Sequence, residues 1–160
     1  MFGSNRMIIR VITIGKTSTP YLKVGIDIYL NRLKHYAKVE YLELPDVAVK
    51  ERTKQKEKEG ELILKQLKGE DILILLDEKG KNPSSRELAD FFQKKMNGGT
   101  RSLCLVIGGA YGFSDEVYNR AESLLSFSKM TFSHEMIRLM LVEQVYRAFT
   151  IIKGESYHHD

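Results

Sequence analysis

The sequence predicts an α/β fold: a mostly parallel sheet with helices on both faces. Apolar, β-branched runs alternate with amphipathic segments along the chain, which is typical of this class. The run ILILLD at residues 72–77 is apolar almost throughout, as expected for a strand covered on both sides. A chain of 160 residues can bury a core without disulfides or metals. We expect one domain over residues 7–160, and we interpret residues 1–6 as an extension or a cloning remnant.

The first half of the chain contains two predicted strands with a helix between them. The run IIRVITIG at residues 8–15 is rich in β-branched residues and ends at glycine, which predicts a buried strand. The following helix has Ser18 or Thr19 as its expected cap and Pro20 in its first turn. Residues 39–44 alternate between apolar and polar types, which indicates a second strand.

A strongly charged segment, KERTKQKEKEG at residues 50–60, separates these elements from the run at residues 72–77. We interpret it as a solvated helix face or a mobile loop, with an RNA-contacting face as the alternative. After the strand at residues 72–77, we expect a turn at residues 79–83, because this stretch contains glycine, asparagine and proline.

The second half of the chain continues the alternation. Its predicted elements are a helix from the capping box Ser84–Glu87 to Gly98, a strand at 103–107, a short helix capped by Ser114, a strand at 124–128, and an amphipathic helix from Ser133 to Gly154. In parallel sheets, ligands bind beyond the carboxyl ends of the strands. We therefore expect the segments after Leu76, at Gly108 and at residues 126–132 to lie together at one sheet edge.

Composition narrows the class of protein. The single cysteine, Cys104, lies in an apolar run and is expected to be a buried thiol, which leaves no disulfide and no zinc cluster. No stretch reaches the roughly 18 apolar residues of a membrane span, and no signal peptide is recognisable, so we expect a cytoplasmic protein without metal or membrane partners. The net charge of +4 suits a polyanionic partner without identifying it.

The glycine-rich segment CLVIGGAYGFSDEV at residues 104–117 resembles a ligand-binding turn between a strand and a helix. Its glycines have neither the G-x-G-x-x-G spacing of dinucleotide sites nor the G-x-x-x-x-G-K-[ST] spacing of mononucleotide loops. The spacing therefore argues against a nucleotide-dependent oxidoreductase or a phosphate-binding enzyme.

Two segments carry a resemblance to a known family. VIGGAYGF at residues 106–113 and LSFSKMTFSHEMIRLMLVEQVYRAFTIIKGESYH at residues 125–158 are similar to SPOUT-superfamily methyltransferases that modify N3 of a pseudouridine in large-subunit (23S) ribosomal RNA. The resemblance implies an enzyme that uses S-adenosyl-L-methionine, forms a homodimer and carries a C-terminal trefoil knot. A non-catalytic RNA-binding module of the same fold is the alternative, and it has no need of a cofactor site.

The resemblance also implies site residues. The expected cofactor contacts are Leu76, Gly108, Phe127, Ser128, Lys129, Met130, Thr131 and Phe132. Candidates for substrate binding are His134, Arg138 and Arg147, and candidates for catalysis are Tyr157, His158 and His159. His159 replaces the arginine or lysine usual in the family, so a permanent cation becomes one that titrates near neutral pH.

Overall fold

The computed structural model describes residues 7–159, so the interpretation of residues 1–6 lies outside the described part of the chain. In chain order the elements are β1 (Ile8–Ile14), α1 (Pro20–Leu33), β2 (Lys38–Leu44), α2 (Arg52–Lys65), β3 (Ile72–Lys81), α3 (Ser85–Asn97), β4 (Ser102–Ile107), α4 (Asp115–Arg120), β5 (Ser123–Leu125) and α5 (His134–Ile152). The predicted alternation of strands and helices is confirmed.

The strands form a parallel sheet in the order β2-β1-β4-β3-β5. Apolar side chains of α1, α3 and α5 pack on one face of the sheet, where Leu33, Phe92 and Leu141 are buried in one cluster. Ile63 of α2 and Val117 of α4 belong to a second cluster on the other face. Because both faces are covered, the predicted fold class is confirmed.

The charged segment at residues 50–60 lies largely in α2, so the helix interpretation is confirmed. The helix is nevertheless not solvated all round, because Glu59, Gly60 and Ile63 are buried. A Cβ added at Gly60 would lie 2.6 Å from Oγ of Ser114, so only glycine permits this close approach of α2 to the start of α4.

The region after Leu76 differs from the prediction. The turn expected at residues 79–83 is wrong in its first part, because β3 continues to Lys81. This continuation is stabilised by β5: Leu76 and Lys81 both pair with Leu125 across an irregular register, and the Ser126 N–H donates to the Lys81 carbonyl at 2.8 Å. The strand expected at residues 124–128 ends at Leu125.

The helix caps agree with the prediction at α3 and α5 and differ at α1. The Ser84 and Glu87 capping box is present, and Oγ of Ser133 accepts from Met136 N–H at 3.1 Å. Thr19 is the N-cap of α1, but its side chain makes no capping hydrogen bond. Glu135 of α5 instead accepts from the Ser18 and Thr19 N–H groups that precede the helix.

Three of the expectations drawn from composition concern the described part of the chain. Cys104 is fully buried, as expected, and burial raises the pKa of its thiol. Among residues 7–159, no helix combines the length and apolar character needed to cross a membrane. The same residues contain no group of three or more histidine, cysteine or acidic side chains that could hold a metal ion.

Candidate functional site

A cavity of about 640 Å³ lies beyond the carboxyl ends of β3, β4 and β5. The residues that line it are Arg52, Lys56, Leu76, Asp77, Glu78, Lys79, Ile107 to Phe113, Tyr118, Leu125 to Ser128, Met130 to Phe132, His134 and Ile137. The three segments expected to meet at one sheet edge therefore do so, because parallel strands bring their carboxyl ends to the same side.

The turn after β4 forms one wall of the cavity. Gly112 has φ +81°, a backbone conformation that side chains other than glycine rarely adopt, and its N–H donates to the Gly109 carbonyl at 3.3 Å. Gly108 is required for a different reason: a Cβ there would lie 2.9 Å from Cε1 of the buried Phe113. The glycines thus shape the turn from inside the fold and leave its backbone facing the cavity.

The segment between β5 and α5 forms the opposite wall. Oγ of Ser126 donates to the Ser128 carbonyl at 2.9 Å, and Oγ of Ser128 accepts from Met130 N–H at 2.9 Å. These short-range bonds fold the segment into successive turns without a strand. Of the expected cofactor contacts, all except Lys129 line the cavity. Lys129 is exposed and is not part of the lining, so its assignment is not supported by the structure.

A carboxylate pair within β3, directly after its apolar run, was not predicted. Asp77 and Glu78 line the cavity, and the hydroxyl of Tyr118 donates to Oδ2 of Asp77. Burial and this hydrogen bond raise the pKa of Tyr118 to about 12, so the phenol stays a donor and fixes the Asp77 side chain. Asp77 also accepts from Lys79 N–H at 2.8 Å. The sequence contains a signal for this carboxylate pair, because two acidic residues directly follow the apolar run of β3.

The position of Arg52, Lys56 and Tyr111 at the cavity was also not predicted. The guanidinium of Arg52 lies 4.9 Å from the centroid of the Tyr111 ring, and Lys56 lies one helical turn further along α2. Tyr111 is 42% exposed despite its size. This placement of Arg52 and Lys56 is compatible with the alternative interpretation of the charged segment as an RNA-contacting face.

The three expected substrate-binding residues fall into three different places. His134 is exposed, begins α5 and lines the cavity. Arg147 lies about 20 Å from His134 along α5, at 1.5 Å per helical residue. Arg138 is 1% exposed and does not line the cavity.

Arg138 is bonded to protein groups in this chain, and its assignment to substrate binding stays a prediction. Its Nη2 donates to the Ile14 carbonyl at 2.7 Å, and Nη1 donates to the Gly15 carbonyl at 2.9 Å. Nη1 also contacts Oε2 of Glu43 at 3.1 Å and Oγ1 of Thr17 at 2.9 Å. The guanidinium is therefore occupied by acceptors at and just after the ends of β1 and β2.

The C-terminal tail packs against α5 of its own chain. The Tyr157 hydroxyl donates to Oε2 of Glu143 at 2.8 Å, and Nη1 of Arg147 lies 3.2 Å from Nδ1 of His158. Arg147 also donates to Glu143 at 2.7 Å. The tail and Arg147 therefore form one group near the end of α5, and this group is remote from the cavity of the same chain. His159 follows this group and is exposed.

Comparisons with known proteins agree with this geometry. A family model described as Predicted SPOUT methyltransferase matches residues 7–158. A relative from Christiangramia forsetii, named Ribosomal RNA large subunit methyltransferase H, is 51% identical over 156 residues and covers 96% of this chain and 99% of its own. A relative of the same name from Flavobacterium psychrophilum is 52% identical over 156 residues, with the same coverage of 96% and 99%.

More distant matches follow. A Bacillus pumilus protein of the same name is 47% identical over 158 residues, covering 95% of this chain and 99% of its own. The solved structure of the SpoU methyltransferase AviRb from Streptomyces viridochromogenes aligns with a TM-score of 0.45 at 10% identity, covering 94% of this chain and 62% of that one. That likeness is too weak to carry an argument about this chain. The family match and the relatives show that the chain belongs to the SPOUT methyltransferase family.

Proposed function

We propose that this protein transfers a methyl group from S-adenosyl-L-methionine to N3 of a pseudouridine in large-subunit ribosomal RNA. The observation that carries the proposal is the cavity formed at the carboxyl ends of three strands by the segments that the family resemblance assigns to the cofactor. The names of relatives about half identical to this chain support RNA of the large subunit as the substrate class. We place this activity in a single domain of residues 7–160, in the cytoplasm.

The residues around the cavity fit this cofactor. Its volume of about 640 Å³ lies within the usual range for small-molecule sites. Leu76, Ile107 and Phe132 give it apolar walls suited to an adenine ring, and the backbone of the glycine turn offers hydrogen-bonding groups. The carboxylates of Asp77 and Glu78 suit hydroxyl and ammonium groups. When bound, the cofactor supplies an activated methyl group on a sulfonium sulfur.

The protein must align the RNA base and help its N3 lose a proton. His134, at the cavity and exposed, is placed to contact the RNA, and Arg52 and Lys56 give this edge positive charge for the phosphate backbone. We assign orientation or deprotonation of the base to Tyr157 and His158, with His159 adding charge when protonated. Because these residues lie far from the cavity of their own chain, we propose that a second copy of the protein brings them to it.

The test is methyl-label transfer from S-adenosylmethionine to isolated ribosomal RNA, to ribosomal subunits and to assembled ribosomes, with the modified nucleotide mapped. We expect label at a single pseudouridine N3 in a structured particle and less label at higher salt, since phosphate contacts release counterions. Equal labelling of a short unstructured oligonucleotide would contradict structured RNA as the substrate. A chain that binds RNA but not S-adenosylmethionine would instead be the RNA-binding module, which the methyltransferase family match does not favour.

A further inference from the structure

Helix α2 packs against the glycine turn through its buried residues Glu59 and Gly60. Glu59 projects from α2 and is only 4% exposed. A Cβ added at Gly109 would lie 2.6 Å from Oε2 and 2.7 Å from Oε1 of this carboxylate. The Glu59 side chain is therefore packed directly against the backbone of the turn, although it does not itself line the cavity.

The carboxylate has few polar partners for a buried charge. Nε2 of Gln55 donates to Oε2 at 3.1 Å, and the neighbouring Gly109 backbone favours the charged form of the carboxyl. Burial raises the pKa of Glu59, and the nearby Asp46 carboxylate raises it further. Burying a carboxylate costs free energy unless its partners compensate, so this residue is not explained by packing alone.

Two other contacts attach α2 to the same turn. Arg52 lies over the ring of Tyr111, inside the turn, and Gly60 packs against Ser114 just after it. With Glu59 at Gly109, α2 contacts the segment from Gly109 to Ser114 at three points along its length. A helix attached in this way fixes where the turn's backbone lies relative to the sheet.

We propose that Glu59 is a positioning residue, whose carboxylate holds the Gly109 backbone so that the Gly108–Gly112 turn keeps the shape that binds S-adenosylmethionine. The inference rests on the proposed function for the identity of the ligand. The contact between Glu59 and the turn belongs to the free protein, so it can be tested separately from the chemistry.

The test compares Glu59→Ala, Glu59→Gln and the control Glu57→Ala, whose side chain lies on α2 but is exposed. We expect Glu59→Ala to weaken S-adenosylmethionine binding by about tenfold in calorimetry, because the turn loses the side chain that is packed against the Gly109 backbone. Methyl transfer at saturating cofactor should change less than about twofold, so the effect appears in KM and not in kcat. Glu59→Gln keeps an acceptor oxygen and should recover most of the affinity, and Glu57→Ala should match the wild type.

Amide hydrogen exchange in the absence of cofactor separates this inference from the proposed function. Glu59→Ala should speed exchange of residues 109–112 relative to Glu57→Ala. Unchanged exchange and unchanged affinity in a folded Glu59→Ala protein would overturn the positioning role. A wild-type chain that does not bind S-adenosylmethionine would overturn the proposed function and the ligand named here, while faster exchange in the variant would still show that Glu59 holds the turn.

A second pair of variants covers the case in which Glu59→Ala does not fold. Gly109→Ala should weaken cofactor binding, since its methyl group meets the Glu59 carboxylate. Adding Glu59→Ser should restore part of that affinity by shortening the opposing side chain. Additive losses in the double variant would contradict a direct contact between the two positions.

Discussion

At the scale of single residues, Arg138 shows how a cation on the last helix stabilises the sheet. Its guanidinium joins the carbonyls of Ile14 and Gly15 to the Glu43 carboxylate, and it is almost completely buried. Removing one member of such a group leaves the others buried without partners. Arg138 therefore connects α5 to the carboxyl ends of β1 and β2.

Arg138→Met should lower the free energy of unfolding by about 3 kcal/mol or more, because buried carbonyls and a carboxylate lose their donor. Urea unfolding measures this, and Arg138→Lys should be intermediate since it keeps the charge but not the planar fork. A variant of unchanged stability that fails to bind ribosomal RNA would instead support the substrate-binding assignment.

The close contact between Gly108 and the Phe113 ring leads to a second prediction. Gly108→Val should abolish S-adenosylmethionine binding, because its side chain displaces the Phe113 ring and with it the glycine turn. Overpacking of this kind also costs about 1–3 kcal/mol of stability. Calorimetry at a temperature where the variant is folded separates the two effects, and adding Phe113→Leu should recover stability. Unchanged cofactor affinity in the folded variant would contradict the placement of the cofactor.

At the scale of elements, α5 contacts the start of α1 through a side chain distant in sequence. Oε1 of Glu135 accepts from Ser18 N–H at 2.9 Å and from Thr19 N–H at 3.0 Å, and the Ser18 hydroxyl donates to Oε2 at 2.7 Å. These hydrogen bonds lower the pKa of Glu135 to about 2. The carboxylate therefore holds the two residues that precede α1 and attaches the start of that helix to α5.

The Glu135 contact predicts a specific pH dependence. A carboxyl whose folded pKa is depressed stabilises the fold above its unfolded pKa of about 4.3, and this contribution is lost as the pH falls towards 2. Unfolding free energies measured between pH 5 and pH 2 should therefore fall less steeply for Glu135→Gln than for the wild type. Parallel pH profiles for the two proteins would contradict this contact.

The elements that the sequence predicted are those defined by local patterns, such as the apolar run of β4 and the capping box at Ser84. The extension of β3 to Lys81 was not predictable, because polar residues become a strand there only by pairing with β5. The meeting of the segments at Leu76, Gly108 and residues 126–132 around one cavity was predictable from the strand order. The contacts of Asp77 with Tyr118 and of Glu59 with Gly109 depend on packing between segments distant in sequence, which no local pattern encodes.

At the scale of the whole molecule, the separation of the tail from the cavity bears on assembly. Tyr157 packs beside Glu143 and His158 beside Arg147, which lie about 14 Å and about 20 Å along α5 from His134. A twofold dimer would allow each tail to reach the cavity of its partner. Exposed apolar residues on α1 (Tyr21, Val24 and Ile28) add surface suited to such an interface. The dimer and the C-terminal trefoil knot remain predictions.

Complementation tests the shared site. Deleting residues 155–160 should abolish methyl transfer and leave a folded dimer, visible as a dimer mass in light scattering. Mixed with full-length Gly108→Val chains, the deletion variant should regain activity, because one site per heterodimer has an intact cavity and an intact partner tail. Purified heterodimers that stay inactive, or a fully active monomer, would show that the tail acts within its own chain.

We propose that the cavity beyond β3, β4 and β5 holds S-adenosylmethionine. A crystal structure of the protein with this cofactor bound would test this placement. We expect ligand density between the Gly108–Gly112 turn and the segment at residues 126–132, in contact with Leu76. Density for the cofactor at any other surface, with this cavity empty, would contradict it.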